Sequence, residues 1–352
     1  MIDGRRWMHE MALGLAGTGG LASLARPHFG GLGAIMMLHS VTATPETRIG
    51  ANDHLVIDPD FLDRLLSHLR HQGYLFASMD EALERVRSAG GGARFVAFTA
   101  DDAYRDNLLE ALPVLERHGA PLTIYVAPGL IDGDAVLWWE VVEEVVARLD
   151  RVDLPGAEGM RSLDCSTLAG KRKANRIIQD HLTRNVPEAD QHAAVLALAR
   201  SAGIDCAAFM HGRLMDWRQI ADIARHPLVT IGAHTVHHRN LKRLSEDGAA
   251  QELARSRAIL EERLGSAPRH LAFPYGYAAA AGEREARLAG EAGFATAVTT
   301  RHGLIHAEHA DHLHALPRIS VNGRHQNVRH IDTMLSGITT PMANRGRRVV
   351  TV

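Results

Sequence analysis

The sequence predicts an α/β protein built on a parallel sheet with a helical insertion. Short apolar runs alternate along the chain with stretches of helical periodicity, the pattern of strand–helix repeats. Polar residues arrive immediately after several of these runs, where parallel sheets collect their chemistry. One stretch, about 150–225, is polar and helical and is expected to contain no strand, so it reads as an insertion. A chain of 352 residues fits one such domain, barrel included.

The elements follow in order. Arg5-Arg6 and the run Met11 to Ala25 have the outline of an export signal, but His9 and Glu10 interrupt it and Gly14, Gly17, Gly19 and Gly20 dilute it. A retained N-terminal helical segment over 1–30 and a cytoplasmic location are expected, with export the alternative. Ala34 to Leu38 is a buried strand that delivers His39 at its carboxyl end. Phe61, Leu62, Leu65, Leu66 and Leu69 recur at helical spacing, and Gly73 ends that helix. Arg94 to Thr99 is the next strand, followed at once by Asp101-Asp102. Leu108, Leu109, Leu112 and Leu115 form a helical stripe, and Pro113 sets the start of the helix proper near itself. Thr123 to Val126 is a strand and Trp138 to Leu149 a helix. After the insertion, Val229 to Ala233 returns to strand and delivers His234. The helix Ser245 to Leu264 stops at Gly265. Leu271 to Phe273 is a short strand leading into Pro274-Tyr275-Gly276. A helix over Glu283 to Ala292, a strand over Ala295 to Val298 and a last strand at Ile319-Ser320-Val321 complete roughly seven repeats within 31–338. Residues 339–352 form a C-terminal tail.

Composition narrows the function. Hydrophobic residues are 46% and charged residues 23%, as in soluble globular domains. Lys plus Arg number 39 against 41 acids, so a nucleic-acid partner is not expected. No apolar run reaches membrane-spanning length, and integral membrane association is not expected either. Cys165 and Cys206 cannot form a cysteine-rich metal site. Histidine is in surplus, with 22 residues.

His234 and His238 stand four apart, a spacing that on one helical face brings two imidazoles to one cation, and that also occurs in purely structural pairs. Asp101 and Asp102 are adjacent carboxylates at a strand end, which repel each other unless a cation or an arginine is near. One would ligate a metal while the other stays free as a base; the competing reading is a helix cap, in company with Asp106-Asn107. A His–His–carboxylate set of Asp102, His234 and His238 leaves a coordination position open, as catalytic zinc sites do. Pro274-Tyr275-Gly276 is either an ordinary tight turn or one whose N–H groups face an oxyanion.

FTADDAYRDN (98–107), GAHTVHHRNL (232–241) and AFPYG (272–276), in that order, resemble the first three motifs of the polysaccharide deacetylases, carbohydrate esterase family 4. MLHSV near the start and LPRISVNG near the end also resemble the bacterial branch, so the likeness spans about 34 to 335. It implies an irregular (β/α)₇ barrel and metal-dependent removal of N-acetyl groups from a glycan or glycan precursor. By position it implies Asp101 as general base, Asp102, His234 and His238 as ligands of a divalent metal, zinc foremost, and the Tyr275 N–H as oxyanion donor. Two other outcomes fit the residues: hydrolysis of a non-sugar amide or O-acetyl ester, and a catalytically silent glycan-binding protein.

Three departures from the family pattern stand out. Ala103 occupies a position usually held by glycine, at a cost of about 1 kcal/mol if its φ is positive. Leu271 stands where many members have the arginine that orients the base, and Arg318 is the candidate substitute. Thr333 to Gly337 lacks the final motif's histidine; His39 is the candidate acid or substrate contact, with a buried core histidine the alternative. His302, His306, His309, His312 and His314 read as a solvated loop. Trp138-Trp139 either pack the insertion onto the barrel or present aromatic faces to a sugar.

Overall fold

The apolar runs pack as strands buried on both faces, which is why they read as continuous hydrophobic stretches. The computed structural model describes residues 21–46, 48–88, 92–156 and 159–352. Twelve strands are found among them: β1 (Gly33–Leu38), β2 (Ser40–Val41), β3 (Val56–Ile57), β4 (Leu75–Phe76), β5 (Phe95–Asp101), β6 (Leu122–Val126), β7 (Arg151–Gly156), β8 (Gly159–Asp164), β9 (Val229–Ala233), β10 (His270–Ala272), β11 (Thr296–His302) and β12 (Leu316–Ser320).

Seven of these close into a parallel barrel in the order β1, β5, β6, β9, β10, β11, β12 and back to β1. Closure rests on β1, whose Gly33–Leu38 pair with Phe95–Ala100 on one side while Met36 and Met37 pair with Ile319 and Ser320 on the other. The ring is irregular. β10 meets β9 through the single pair Leu271–Ala233, and β11 shifts register against β12 between Val298 and His302. β4 adds two residues along the start of β5.

Met36, Leu38, Val96, Phe98, Ile124, Leu271 and Ile319 belong to the principal core, together with Phe61, Leu62, Leu65, Leu66 and Leu69 of the helix Pro59–His71. That helix is capped by Asp58, whose side chain accepts from the N–H groups of Asp60 and Phe61. Pro113 sits in the first turn of the helix Leu112–Arg117, where it loses no hydrogen bond. The residues before it, Asn107–Ala111, wind as a π-helical turn and leave Leu109 60% exposed, so the expected apolar stripe is broken there.

A second core, with Val142, Val146, Ile178, Leu182 and Val195, belongs to the excursion between β6 and β9. It includes the helices Trp138–Arg148, Leu168–Arg184 and Glu188–Ser201. The expectation of no strand in 150–225 is corrected: β7 and β8 pair as an antiparallel hairpin. Its inward face has only Val152, Leu154 and Leu163, while Arg151, Asp153, Arg161 and Ser162 face water, too few apolar residues for a visible alternation.

At the N-terminus Leu21–Phe29 is helical, and the remainder of the expected segment, 1–20, lies outside the described residues. Residues 339–352 include the short helix Thr339–Ala343, and Val350 is buried. The solvated-loop expectation is also corrected for three of the late histidines, His302, His306 and His309, while His312 is exposed and His314 lies in a turn. His302 ends β11, His306 and His309 are buried with stacked rings, and the His309 Nε2 lies 3.0 Å from the Val350 carbonyl. No single helix among the described residues is long and apolar enough to cross a membrane.

Candidate active site

The carboxyl ends of the barrel strands bring the motifs together. β5 ends on Asp101, with Asp102 next; β1 is followed by His39, β9 by His234 and β10 by the Pro274-Tyr275 turn.

Asp101 is buried and held by Arg318 of β12 in a fork-on-fork pair, Nη1 to Oδ1 and Nη2 to Oδ2 both at 2.7 Å. Two of the three remaining guanidinium donors are used as well. Nη1 also donates to Thr99 Oγ1 at 3.1 Å and Nε to the Thr299 carbonyl at 2.9 Å. Burial alone would raise the Asp101 carboxyl, but the charge and hydrogen bonds of Arg318 outweigh it and hold the group well below the usual carboxylate range.

Asp102 is in the opposite situation. Burial, then the neighbouring Asp101 charge and Glu140, push its carboxyl well above the ordinary value. Its Oδ1 is buried without a hydrogen-bond partner and lies 3.6 Å from His234 Nε2 and 3.4 Å from His238 Nε2. One donor atom from each of these three buried residues lies within 4.8 Å of the others. His234 Nδ1 is 2.7 Å from the Ala272 carbonyl, which fixes the proton on that nitrogen and leaves Nε2 as the lone-pair donor. Burial lowers the proton affinity of both histidines, keeping them neutral as ligands must be. An orphaned carboxylate oxygen facing two neutral imidazole nitrogens fits a divalent cation.

The histidine pair does not lie on a helix as expected; residues 234–240 are irregular. Thr235 and His238 have φ of 61° and 54°, and these two left-handed residues fold the loop so that the rings meet at 4.9 Å. Thr235 Oγ1 accepts from the His238 N–H at 3.1 Å. Glu252, on the helix Glu246–Leu264, accepts from the N–H groups of Val236 and His237 at 3.0 and 2.9 Å. No motif marks Glu252 in the sequence, because its role depends on a loop conformation that cannot be read there.

Backbone strain concentrates at this rim. Among the described residues, six non-glycines have positive φ, and five of them are Asp102, Ala103, Thr235, His238 and Tyr275. Ala103 adopts φ 57° despite its Cβ, so the strain anticipated there is present. Gly276 has φ 57° and approaches Thr300 so closely that a Cβ would meet its nitrogen at 2.5 Å.

The remaining expected residues distribute as follows. His39 Nε2 lies 4.0 Å from Asp101 Oδ2, and burial lowers its pKa to about 4. The helix-cap reading of the acidic stretch is not realised. Asp106 instead accepts from Ser40 Oγ at 2.5 Å and the Val41 N–H at 3.1 Å, and Asn107 Nδ2 donates to the His39 carbonyl at 2.7 Å. Leu271 is fully buried in the barrel. Thr333 and its neighbours belong to the helix Val328–Leu335.

The excursion between β6 and β9 reaches the site through three consecutive residues of the helix Trp138–Arg148. Trp138 Nε1 donates to the Tyr275 hydroxyl at 2.8 Å. Trp139 Nε1 donates to the Tyr104 hydroxyl at 3.2 Å, and its ring lies 5.0 Å from that of His238. Glu140 Oε1 accepts from Tyr104 at 3.2 Å. Both indoles are 8% exposed, so they brace the site from behind and offer little open face.

Residues 182–294 match the family model described as polysaccharide deacetylase. None of the curated proteins matches the sequence. Among solved structures, the fold is similar to the Streptococcus pyogenes deacetylase PplD in complex with acetate, with TM-score 0.56 and 18% identity over 86% of this chain and 97% of that one. It is also similar to IcaB from Ammonifex degensii, with TM-score 0.53 and 17% identity over 86% and 97%. The BpsB deacetylase domain from Bordetella bronchiseptica gives TM-score 0.51 and 15% identity over 83% and 96%. At these identities the likeness is one of fold.

Proposed function

The chain has the fold of the polysaccharide deacetylases and, over residues 182–294, matches that family in sequence; from this premise we propose that it is a metal-dependent hydrolase removing N-acetyl groups from amino sugars of a glycan or glycan precursor. The observation that carries the proposal is the division of labour between adjacent aspartates. Asp101 is tied to a guanidinium, while Asp102 is left facing two histidine nitrogens.

Asp102, His234 and His238 would hold the metal, with Zn²⁺ the preferred ion. A divalent cation there supplies Lewis acidity, favouring ionisation of water near neutral pH and polarising an acetamide carbonyl. Asp101 accepts the proton of the attacking water, and Arg318 keeps its carboxylate oriented. The Tyr275 N–H, held by a turn braced through Thr300 Oγ1 and Gly276, donates to the oxyanion. His39 passes a proton to the departing amine. Because burial keeps its ring neutral at rest, His39 must acquire that proton within the catalytic cycle, and Asp101, 4.0 Å away, is the nearby donor once loaded. Acetate and a free amino sugar result.

Metal content and acetate release, measured together on the wild type and Asp101→Asn with a panel of N-acetylated sugars and oligosaccharides, test this. The expected result is one equivalent of metal in both proteins and acetate from the wild type alone. Absence of metal binding, or acetate from simple O-acetyl esters and no sugar amide, overturns the proposal.

A further inference from the structure

His234 and His238 are held differently. His234 Nδ1 has the Ala272 carbonyl at 2.7 Å, whereas His238 Nδ1 is buried and has no hydrogen-bond partner among the described residues. The Nε2 of His238 faces Asp102 Oδ1 at 3.4 Å, so a neutral ring that offers its lone pair there carries its proton on Nδ1. That N–H needs an acceptor. Metal-ligating histidines almost always donate their second nitrogen to a carbonyl, a carboxylate or a water, and a buried donor left without one is costly.

His238 lines a small cavity of about 20 Å³. Another of its walls is one face of the helix Glu188–Ser201, with Glu188, Gln191, His192 and Val195 at the spacing of adjacent turns. Most polar groups in the lining are engaged. Glu188 accepts from the Asn240 N–H at 3.0 Å and from Arg243 Nη1 at 2.7 Å. Gln191 Nε2 donates to the Leu182 carbonyl at 3.3 Å, and His237 Nδ1 lies 2.6 Å from Glu252 Oε1. His192 is the exception. Its Nδ1 is also buried without a partner among the described residues. Burial lowers the proton affinity of this ring, and a neutral imidazole protonated at Nε2 presents Nδ1 as an acceptor.

Two orphaned ring nitrogens, one a donor and one able to accept, thus line the same cavity and do not bond to each other directly. The space exceeds the roughly 10–15 Å³ that one water needs. A water satisfies both nitrogens, accepting N–H from His238 and donating O–H to His192. A cation does not, since a nitrogen that carries a proton cannot ligate it.

We infer that this cavity seats one ordered water bridging His238 Nδ1 to His192 Nδ1, which makes His192 a positioning residue for the metal-ligating loop. The excursion between β6 and β9 therefore takes part in metal binding although it supplies no ligand. The inference rests on the reading of Asp102, His234 and His238 as metal ligands.

The test is Zn²⁺ affinity of the full chain, measured by competition with a chelator, for wild type, His192→Phe and His192→Asn. His192→Phe keeps the shape of the ring without its nitrogens and should weaken binding about tenfold or more. His192→Asn, whose Oδ1 stands near the place of Nδ1, should stay close to wild type. NMR spectra of the zinc-loaded protein with isotope-labelled histidine should show the His238 Nδ1 proton protected from exchange in wild type and His192→Asn, and lost in His192→Phe. A crystal structure of the zinc-loaded wild type should place one water within hydrogen-bond distance of both nitrogens. A dry cavity there overturns the inference whatever the variants do. Equal affinity in wild type and His192→Phe, or equal loss in both variants, also overturns it and leaves the ligand reading standing. Failure of the wild type to bind Zn²⁺ overturns both.

Discussion

Arg318 and Asp101 meet as a buried, two-pronged ion pair although 217 residues separate them. Lysine cannot reproduce the pairing, because one ammonium cannot satisfy both carboxylate oxygens as well as Thr99 and the Thr299 carbonyl. Arg318→Lys should lower kcat about a hundredfold or more with metal content unchanged. Arg318→Met, which strands a buried carboxylate, should cost about 3–5 kcal/mol in urea unfolding. Loss of metal from the lysine variant would assign the pair to the ligand cluster instead of to the base.

Asp101→Asn retains the shape of the side chain but cannot take a proton. Acetate release should fall by about 10²–10⁴-fold, read in single-turnover assays with metal content monitored in parallel. A variant retaining more than a tenth of wild-type turnover would remove Asp101 from the role of base.

Metal should stabilise the fold through the orphaned Asp102 Oδ1. At a free metal concentration near 100 times Kd the gain is about 2.7 kcal/mol, visible as a rise in Tm reversed by chelator. In His238→Gln the chelator-sensitive part of Tm should vanish. An equal chelator effect in that variant would point to a different metal site.

Trp138 holds the Pro274-Tyr275 turn through the Tyr275 hydroxyl. Trp138→Phe removes the N–H donor and should cost about 1 kcal/mol of stability. It should also lower kcat more than it raises KM, because the ring anchors a residue held at φ 62°. A pure KM effect would place Trp138 in substrate binding.

Acid should weaken the fold through the late histidines. Burial lowers His306 from 6.5 to about 4 in the folded state. Between those values the unfolded chain binds a proton that the folded chain refuses, so stability is full above about 6.5 and falls as pH drops towards 4. Tm measured from pH 7 to pH 4 should decline across this window, and His306→Asn should flatten part of the decline. A His306→Asn profile parallel to wild type would remove His306 as a contributor.

The barrel was legible because strands buried on both faces are largely apolar, as Ala34 to Leu38 is throughout and Thr123 to Val126 is but for Thr123. The site residues were legible because they follow such runs directly. Arg318 was visible as a candidate through its place in LPRIS, but its two-pronged contact with Asp101 depends on barrel closure. The helical reading of His234 and His238 failed because two left-handed residues in a loop can bring the rings together as well as one helical turn can. Asp106 and Asn107 could not be distinguished from caps, since their actual partners lie in β2 and at the His39 carbonyl. The bracing of the site by Trp138, Trp139 and Glu140 joins positions far apart in sequence, and periodicity carries no information about such contacts.

The pairing of Met36 with Ile319 that shuts the barrel also sets when Asp101 meets its guanidinium. During synthesis Asp101 and Asp102 emerge before His234 and His238, and Arg318 after all four. Until β12 seats beside β1, the aspartate pair lacks its guanidinium and the two carboxylates repel each other. For the hydrolase proposed above, activity requires β12 beside β1, and acetate release by a refolding sample would report that pairing.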